Sequence, residues 1–403
     1  MSRATQARRL RADPMRPVLD GHDVCLDPPA TAQVWLGTGL GFSEIAVPGV
    51  RLARGDALIA VELAGVGPDE VHSLTGRGAA SLPVVPGGSA VGRVVEADEH
   101  ARAHDGWRLR PGMRVVWSRT VACGRCVPCH RGLASACVSG EWYGEERTRR
   151  SWQLSGTVAS HVHLRRGTAV VVVADDVPAA VLAPVAGVTA TAAEVLHRAS
   201  SVLGLSGVPS LAGQVVVVSG TGAVGLVATA MATDAGARVV VVDPEEARRE
   251  RSRAFGAVAV ADPAASTGPH VLSRVLATVD RSGRHRTVGL AFDGVAGASA
   301  LVGQVAVGGV VVLAGAAAVA AGGREVGVSG ARLVEELVTV TGVRDAEPAR
   351  LDAAVAWASE AWRRWPLESL VGRTIPLAEV GEALAAAGAD DGVVGVGGGS
   401  TTR

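Results

Sequence analysis

Apolar and polar positions follow two different rhythms along the 403-residue chain. Over 59–96 and 114–121, short valine-rich runs are broken every few residues by glycine and proline, as in GVGPDE, PGGSA and RPGMR. Runs of that length bounded by turn formers predict short strands joined by tight turns, and so a compact β-rich unit. From about residue 181 the order becomes apolar run, glycine turn, alanine-rich stretch, apolar run: QVVVVSG, TGAVGLVATAMATDAG, ARVVVVD, PEEARRERSRAFG and AVAVAD follow one another. Strands alternating with helices predict a doubly wound parallel sheet covered on both faces, an α/β fold. Further strands are expected at 287–292, 310–314 and 337–341. LDAAVAWASEAWRRW then reads as an amphipathic helix, with short strands after it that return to the first unit. The division expected is a flexible tail over 1–32, a β-rich domain over 33–180, a parallel-sheet domain over 181–345 and a return over 346–403. No internal repeat recurs at a fixed period.

Charge and hydropathy narrow the classes. Lys+Arg and Asp+Glu both number 39, so no basic excess marks a surface for a phosphate backbone, and nucleic acid is not an expected partner. The sequence contains no lysine, so every fixed side-chain cation is an arginine. The start, MSRATQARRLRADPMRP, lacks the apolar core of about 7–15 residues that a secretory signal carries, and a cytoplasmic protein is expected. Two uncharged stretches, 199–233 and 294–323, exceed the roughly 20 residues that cross a bilayer. Glycines break both, and Pro209 and Gln214 interrupt the first, which reads better as strand, turn and buried helix than as a span.

Two motifs carry chemistry. Gly220, Gly222 and Gly225 form GTGAVG directly after an apolar run, and Asp243 closes the next apolar run. Between a strand and a helix, such glycines serve a tight turn, close approach of a pyrophosphate and helix–strand packing, while the acid meets a ribose hydroxyl. Asp243 would repel a 2′-phosphate, which favours NAD; Arg248 and Arg249 keep NADP open, and a glycine turn without a ligand is the bland alternative. The second motif is CGRCVPCHRGLASAC, whose Cys123, Cys126, Cys129 and Cys137 can wrap tetrahedrally around one Zn²⁺. Four thiolates leave no open position for water, so this zinc would be structural; an iron–sulfur cluster and free thiols are the alternatives. His130 reads as a surface neighbour of the lobe, and Cys25 as an inert thiol.

A four-cysteine lobe followed by a GxGxxG nucleotide fold resembles the zinc-containing medium-chain alcohol dehydrogenases over roughly residues 33–397. Segments such as VELAGV, RVVWSRTVACGRCVPCHRG and TVTGVRDAEPARLDAAV are most similar to the subgroup associated with phosphonate catabolism. The resemblance implies a GroES-like catalytic domain built from both ends of the chain, a Rossmann domain between them, a cleft at the junction and a homodimer or homotetramer. It also implies a catalytic zinc, and here the sequence departs. The family's ligand positions fall on Gly67 in GVGPDEVH, on Gly88 and Ser89 in PGGSAVGRV, and on Gly187 in APVAGVTAT. Glycine offers no ligand atom, so a catalytic zinc is not expected there.

By the same register, His72 matches a proton-relay histidine and Asp69 a position that touches the substrate oxygen. The two would act as general base and acid, unless they are leftovers on a turn. Glu70 takes the place of an aspartate that steadies a zinc ligand, and Thr191 that of a residue packed against the nicotinamide. The subgroup implies an anionic substrate, for which Arg77 is a candidate by position. Two functions follow: an NAD(P)-dependent oxidoreductase working on a small alcohol, aldehyde or activated carbonyl without catalytic zinc, or a pseudoenzyme that binds nucleotide as a subunit beside an active partner.

Overall fold

The computed structural model describes residues 21–67, 70, 81–204, 211–263, 271–292, 295–315, 325–381 and 393–397. The first strands, β1 (Gly21–Trp35) and β2 (Phe42–Ala53), form an antiparallel ribbon. β1 thus starts well inside the segment expected to be a flexible tail. Its second half carries the reason: Ala30, Ala32 and Val34 are buried against Leu52, Leu58, Val85 and Leu154. The DPP interruption in β1 hides that alternation in the sequence.

A curled sheet follows, made of β3 (Ala57–Val66), β4 (Ser89–Ala97), β5 (Arg114–Val121), β6 (Glu141–Trp142), β7 (His161–Leu164) and β8 (Thr168–Val172). β3, β4, β5 and β6 are neighbours in that order, while β7 joins β3 and β8 joins β5. The last strands of the chain, β15 (Val371–Pro376) and β16 (Val393–Gly397), complete this sheet at the free edge of β3.

Between them lies a six-stranded parallel sheet of β9 (Val215–Ser219), β10 (Arg238–Val242), β11 (Ala257–Ala261), β12 (Val288–Ala291), β13 (Val310–Ala314) and β14 (Thr339–Val343). Its order is β11-β10-β9-β12-β13-β14, with the first strand central and a switch point between β9 and β12. The covering helices are α1 (Ala190–Val202), α2 (Ala223–Asp234), α3 (Glu246–Arg253), α4 (Val271–Val279), α5 (Val295–Val302) and α6 (Pro348–Ala361). Both uncharged stretches resolve into this alternation: β9, turn and α2 in one, α5 and β13 in the other. One helical run, Ala179–Val202, is long and apolar enough to span a membrane, but 83% of its most apolar window is buried inside the fold.

That run joins the two sheets. It opens into a wider π-helical turn at Val185–Thr189, which packs against β4 and β5 on one side and α2 and α6 on the other. Leu63, Val91 and Val116 of the curled sheet share one apolar cluster with Leu182, Val185, Val216 and Leu226. The junction is therefore a continuous core.

The curled sheet also has a buried polar node. Asp56, 1% exposed, accepts hydrogen bonds from His163 Nε2 at 3.0 Å, Arg166 N at 2.8 Å and Ala53 N at 3.1 Å. Truncating one partner of such a node strands the others without water. Asp56→Ala should lower unfolding stability by about 3–5 kcal/mol, measured by denaturant titration; a change below about 1 kcal/mol would show that the node contributes little.

Candidate functional site

The nucleotide turn is built at the carboxyl end of β9. Gly220 sits at φ +86°, a left-handed conformation that costs glycine nothing. A Cβ on Gly225 would lie 2.1 Å from Gly220 O, so the helix packs against the turn only because that side chain is absent. Above Gly222, the N-cap of α2, a Cβ would meet nothing within 4 Å, and the helix N-terminus opens onto that space. Open backbone at a helix N-terminus fits a pyrophosphate.

Asp243 is placed differently from the ribose-facing acid expected of it. It is 2% exposed, and its Oδ2 accepts from Thr221 N at 2.8 Å and Thr221 Oγ1 at 2.7 Å, while Oδ1 accepts from Glu245 N at 2.9 Å. A carboxylate has about four lone-pair sites, so roughly one is left for a ligand. Its main role here is to clamp the glycine turn to the end of β10. Arg249 Nη1 donates to the carbonyls of Asp243 and Pro244 and lies 3.6 Å from Asp262, and Arg248 pairs with Glu245 at 2.9 Å.

The four lobe cysteines converge: their sulfurs all lie within 4.8 Å of one another, with Cys126 Sγ 3.4 Å from Cys129 Sγ and 3.9 Å from Cys137 Sγ. A tetrahedral site with Zn–S bonds of about 2.3 Å sets sulfurs about 3.8 Å apart, so the residues fit a structural zinc. Backbone N–H groups of Cys129 and Val138 draw the Cys126 thiol down to about 6, ready to ionise. Burial pushes the Cys137 thiol up to about 12, so this sulfur needs a cation beside it to give up its proton. Among the described residues no other group of His, Cys, Asp or Glu converges in this way. His130 ends the short helix Val127–His130 next to the lobe, outside the set, and Cys25 is exposed on β1. The lobe is tied to the rest of the fold through Ser135, whose N and Oγ both donate to the Glu347 carboxylate at the start of α6.

The third place is the junction cleft, where Gly67, Gly88, Ser89 and Gly187 come together around a residue that the sequence reading passed over. Arg119, on β5, runs between them. A Cβ on Gly88 would lie 2.8 Å from Arg119 Nε, and one on Gly187 would lie 3.8 Å from Arg119 Cδ. The guanidinium Nη2 lies 3.5 Å from Glu70 Oε1 and 3.8 Å from Glu145 Oε1. Glu70 Oε2 in turn accepts from Gly67 N at 2.9 Å. Ser89 Oγ is spent on backbone, donating to Ala183 O at 2.6 Å and accepting from Gly187 N at 3.3 Å. On the loop from β14 to α6, burial pushes the Asp345 carboxyl up against the pull of the Arg119 charge.

The Arg119 side chain thus lies against Gly88 and Gly187, where the resemblance would set ligands of a catalytic zinc, and the described residues there do not fit that metal. Thr191 stands one helical turn beyond Gly187, its Oγ1 donating to Gly187 O at 2.8 Å. The signal for Arg119 was in the sequence: a charge inside the valine-rich run RVVWSRTV, directly before the cysteine lobe. Asp69, His72 and Arg77 lie outside the described residues.

Comparison with known proteins agrees with this architecture. Residues 53–175 match the alcohol dehydrogenase GroES-like domain, and residues 187–280 match the C-terminal domain of alanine dehydrogenase/PNT. Among curated proteins, the erythritol/L-threitol dehydrogenase of Mycolicibacterium smegmatis is 32% identical over 148 residues, 34% of this chain and 38% of that protein. The chain spans less than two thirds of the length of the curated relatives it matches. Among solved structures, an alcohol dehydrogenase from Thermotoga maritima superposes with a TM-score of 0.79 at 25% identity, covering 91% of this chain and 99% of that one. A protein of Sinorhizobium meliloti 1021 described as a zinc-binding dehydrogenase and bound to NADP gives 0.75 at 21% identity, covering 92% and 99%.

The lobe and the turn each yield a test. Cys137→Ser should reduce bound zinc from about one per chain to near none, read by mass spectrometry of the purified protein. Unchanged zinc content would remove the cysteines as its ligands. Gly225→Ala should weaken NADH binding at least about tenfold by displacing the turn; equal binding in a fluorescence titration would place the nucleotide elsewhere.

Proposed function

The chain belongs to the zinc-type, medium-chain alcohol dehydrogenase family, and on that premise we propose that it is an NAD(P)-dependent oxidoreductase acting on a small alcohol, aldehyde or activated carbonyl without a catalytic zinc. One observation carries the reading: the glycine turn keeps its open approach at Gly222, while the metal positions of the adjoining cleft hold three glycines and an arginine stem. The turn, the N-terminus of α2 and Thr191 would hold a dinucleotide. When bound in its reduced form, such a cofactor supplies a hydride to a carbonyl carbon, the C=O π pair passing to oxygen, which then takes a proton.

What the chain contributes is binding, orientation and charge. The Val185–Thr189 turn packs on both the curled sheet and α2, so the cleft and the nucleotide turn share one wall. Asp69 and His72 are assigned the proton transfer on register alone. Cys123, Cys126, Cys129 and Cys137 would hold one structural zinc, which stabilises the lobe and takes no part in the reaction. NAD is favoured over NADP because Arg249 and Arg248, the cations next to the turn, are engaged by Asp262 and Glu245. The S. meliloti protein, found with NADP, is the counterweight. A homodimer or homotetramer is the assembly proposed from family likeness. The second reading, a nucleotide-binding subunit without turnover, draws on the loss of the metal ligands at Gly67, Gly88, Ser89 and Gly187 together.

NADH should bind at least about tenfold more tightly than NADPH, with about one zinc per chain. Fluorescence titration and metal analysis on one preparation check both; two zincs per chain would return ordinary metal-dependent chemistry. Asp69→Asn should reduce turnover by about 100-fold or more if Asp69 carries a proton, whereas unchanged turnover would remove it from the reaction.

A further inference from the structure

We propose that a cavity between three turns of the curled sheet, walled by Arg54, Arg102 and Arg166, binds a phosphate group, either free or as the monoester of a small soluble molecule. The cavity measures about 310 Å³ and also takes in His100, Gly55 and Gly167. It shares no residue with the glycine turn, the cysteine lobe or the junction cleft, so it is a second site whose occupancy needs no turnover.

Two largely buried carboxylates build the frame. Arg54 and Gly55 lie in the turn between β2 and β3, His100 and Arg102 in the turn after β4, and Arg166 and Gly167 in the turn between β7 and β8. Asp98 Oδ1 accepts from Gly55 N at 2.7 Å and from His100 N at 2.9 Å, which ties the first turn to the second. Asp56 Oδ1 accepts from Arg166 N at 2.8 Å, and Asp56 O accepts from Asp98 N at 3.0 Å, which ties in the third. A Cβ on Gly55, at φ +86°, would lie 3.2 Å from Arg166 Cγ, so the arginine stem lies across the glycine. The backbone that carries the three arginines is thus fixed by a connected set of hydrogen bonds.

The walls select the ligand. Among the described residues, Arg54 and Arg102 make no ion pair, and no acidic residue lines the cavity. Arg102 Nη1 donates to the carbonyls of Glu99 at 2.6 Å and Ala101 at 3.0 Å, which sets the guanidinium and leaves other N–H groups of its fork. Arg166 is engaged elsewhere as well and adds its charge. On the adjoining backbone, Asp98 and Asp56 are turned to backbone N–H groups, and Glu99, with a side chain 71% exposed, lies 3.8 Å from His100 Nδ1. Like charges around one space raise one another's energy, and an anion among them lowers it. A guanidinium fork matches the oxygens of a phosphate, which offers at least three acceptors where a carboxylate offers two. More than one fork can then engage the same ligand, which selects phosphate over a simple carboxylate.

The test titrates the full-length protein with inorganic phosphate, followed by phosphorus-31 line broadening, with saturating NADH present to keep the glycine turn filled. Phosphate should bind at about one site per chain, glycerol 3-phosphate should displace it, and acetate at equal ionic strength should not. Arg54→Gln and Arg102→Gln, both at exposed side chains, should each weaken phosphate affinity about tenfold. Arg363→Gln removes an exposed charge paired with Asp176 and should leave that affinity within about twofold. Should NADH not bind, the same comparison of Arg54→Gln with Arg363→Gln on the free protein still decides, because phosphate at the glycine turn does not touch Arg54.

Unchanged affinity in both Arg54→Gln and Arg102→Gln, an equal loss in Arg363→Gln, displacement by acetate as effective as by glycerol 3-phosphate, or no phosphate binding up to about 10 mM would each overturn the proposal. Binding to vesicles containing phosphatidic acid that depends on Arg54, with no binding of soluble phosphate, would assign the cavity to a lipid surface and overturn the soluble ligand. The two arginines stand on different turns, so if one variant does not fold the other keeps the comparison.

Discussion

Packing of the Val185–Thr189 turn against both sheets is the contact on which the functional halves of the molecule depend. Its residues are small or β-branched and almost wholly buried, and the apolar cluster they join runs from Leu63 and Val116 on one side to Val216 and Leu226 on the other. Because that cluster is continuous, the cleft is defined by core packing and not by two domains meeting across water. The wider winding of the turn sets Gly187 against Ser89 and Arg119, with the nucleotide helix α2 packed behind it.

On the proposed reading, a guanidinium standing where the family's metal positions fall differs from a metal in the chemistry it offers. A metal accepts a lone pair and lowers the pKa of what it binds; a guanidinium only donates hydrogen bonds, each charge-assisted one contributing about 1.5–3 kcal/mol. The remainder of any rate enhancement has to come from positioning and from a site preorganised around the oxygen. Among the described residues, the carboxylates of Glu70 and Glu145 lie within 4 Å of the Arg119 guanidinium and help to fix its position.

How much of this could be read from the chain depended on the range of the interaction. The glycine turn, the cysteine lobe and the parallel-sheet strands are local patterns, and the structure has β9, β10 and β13 where the apolar runs lie. The emptied metal positions were visible too, because Gly67, Gly88 and Gly187 occur in recognisable segments. What fills the space was not visible, since Arg119 meets Glu70, Gly88 and Gly187 only after three distant stretches fold together. Asp243 illustrates a subtler limit: spacing identifies the acid, but the direction of its oxygens is set by Thr221 and the Glu245 amide. β1 escaped because its buried alternation begins only after the prolines.

The buried contact of Ser135 with Glu347 joins the cysteine lobe to the first residues of α6, two positions after Asp345. Arg344, on the same short segment, lies over the ring of Trp142 close to the lobe. The four consecutive residues 344–347 therefore touch the cysteine lobe on one side and border the cleft on the other. The lobe and the acidic side of the cleft are thus held by one short stretch of chain. A metal held by the four cysteines would thereby brace a segment that also borders the proposed site, without touching that site itself.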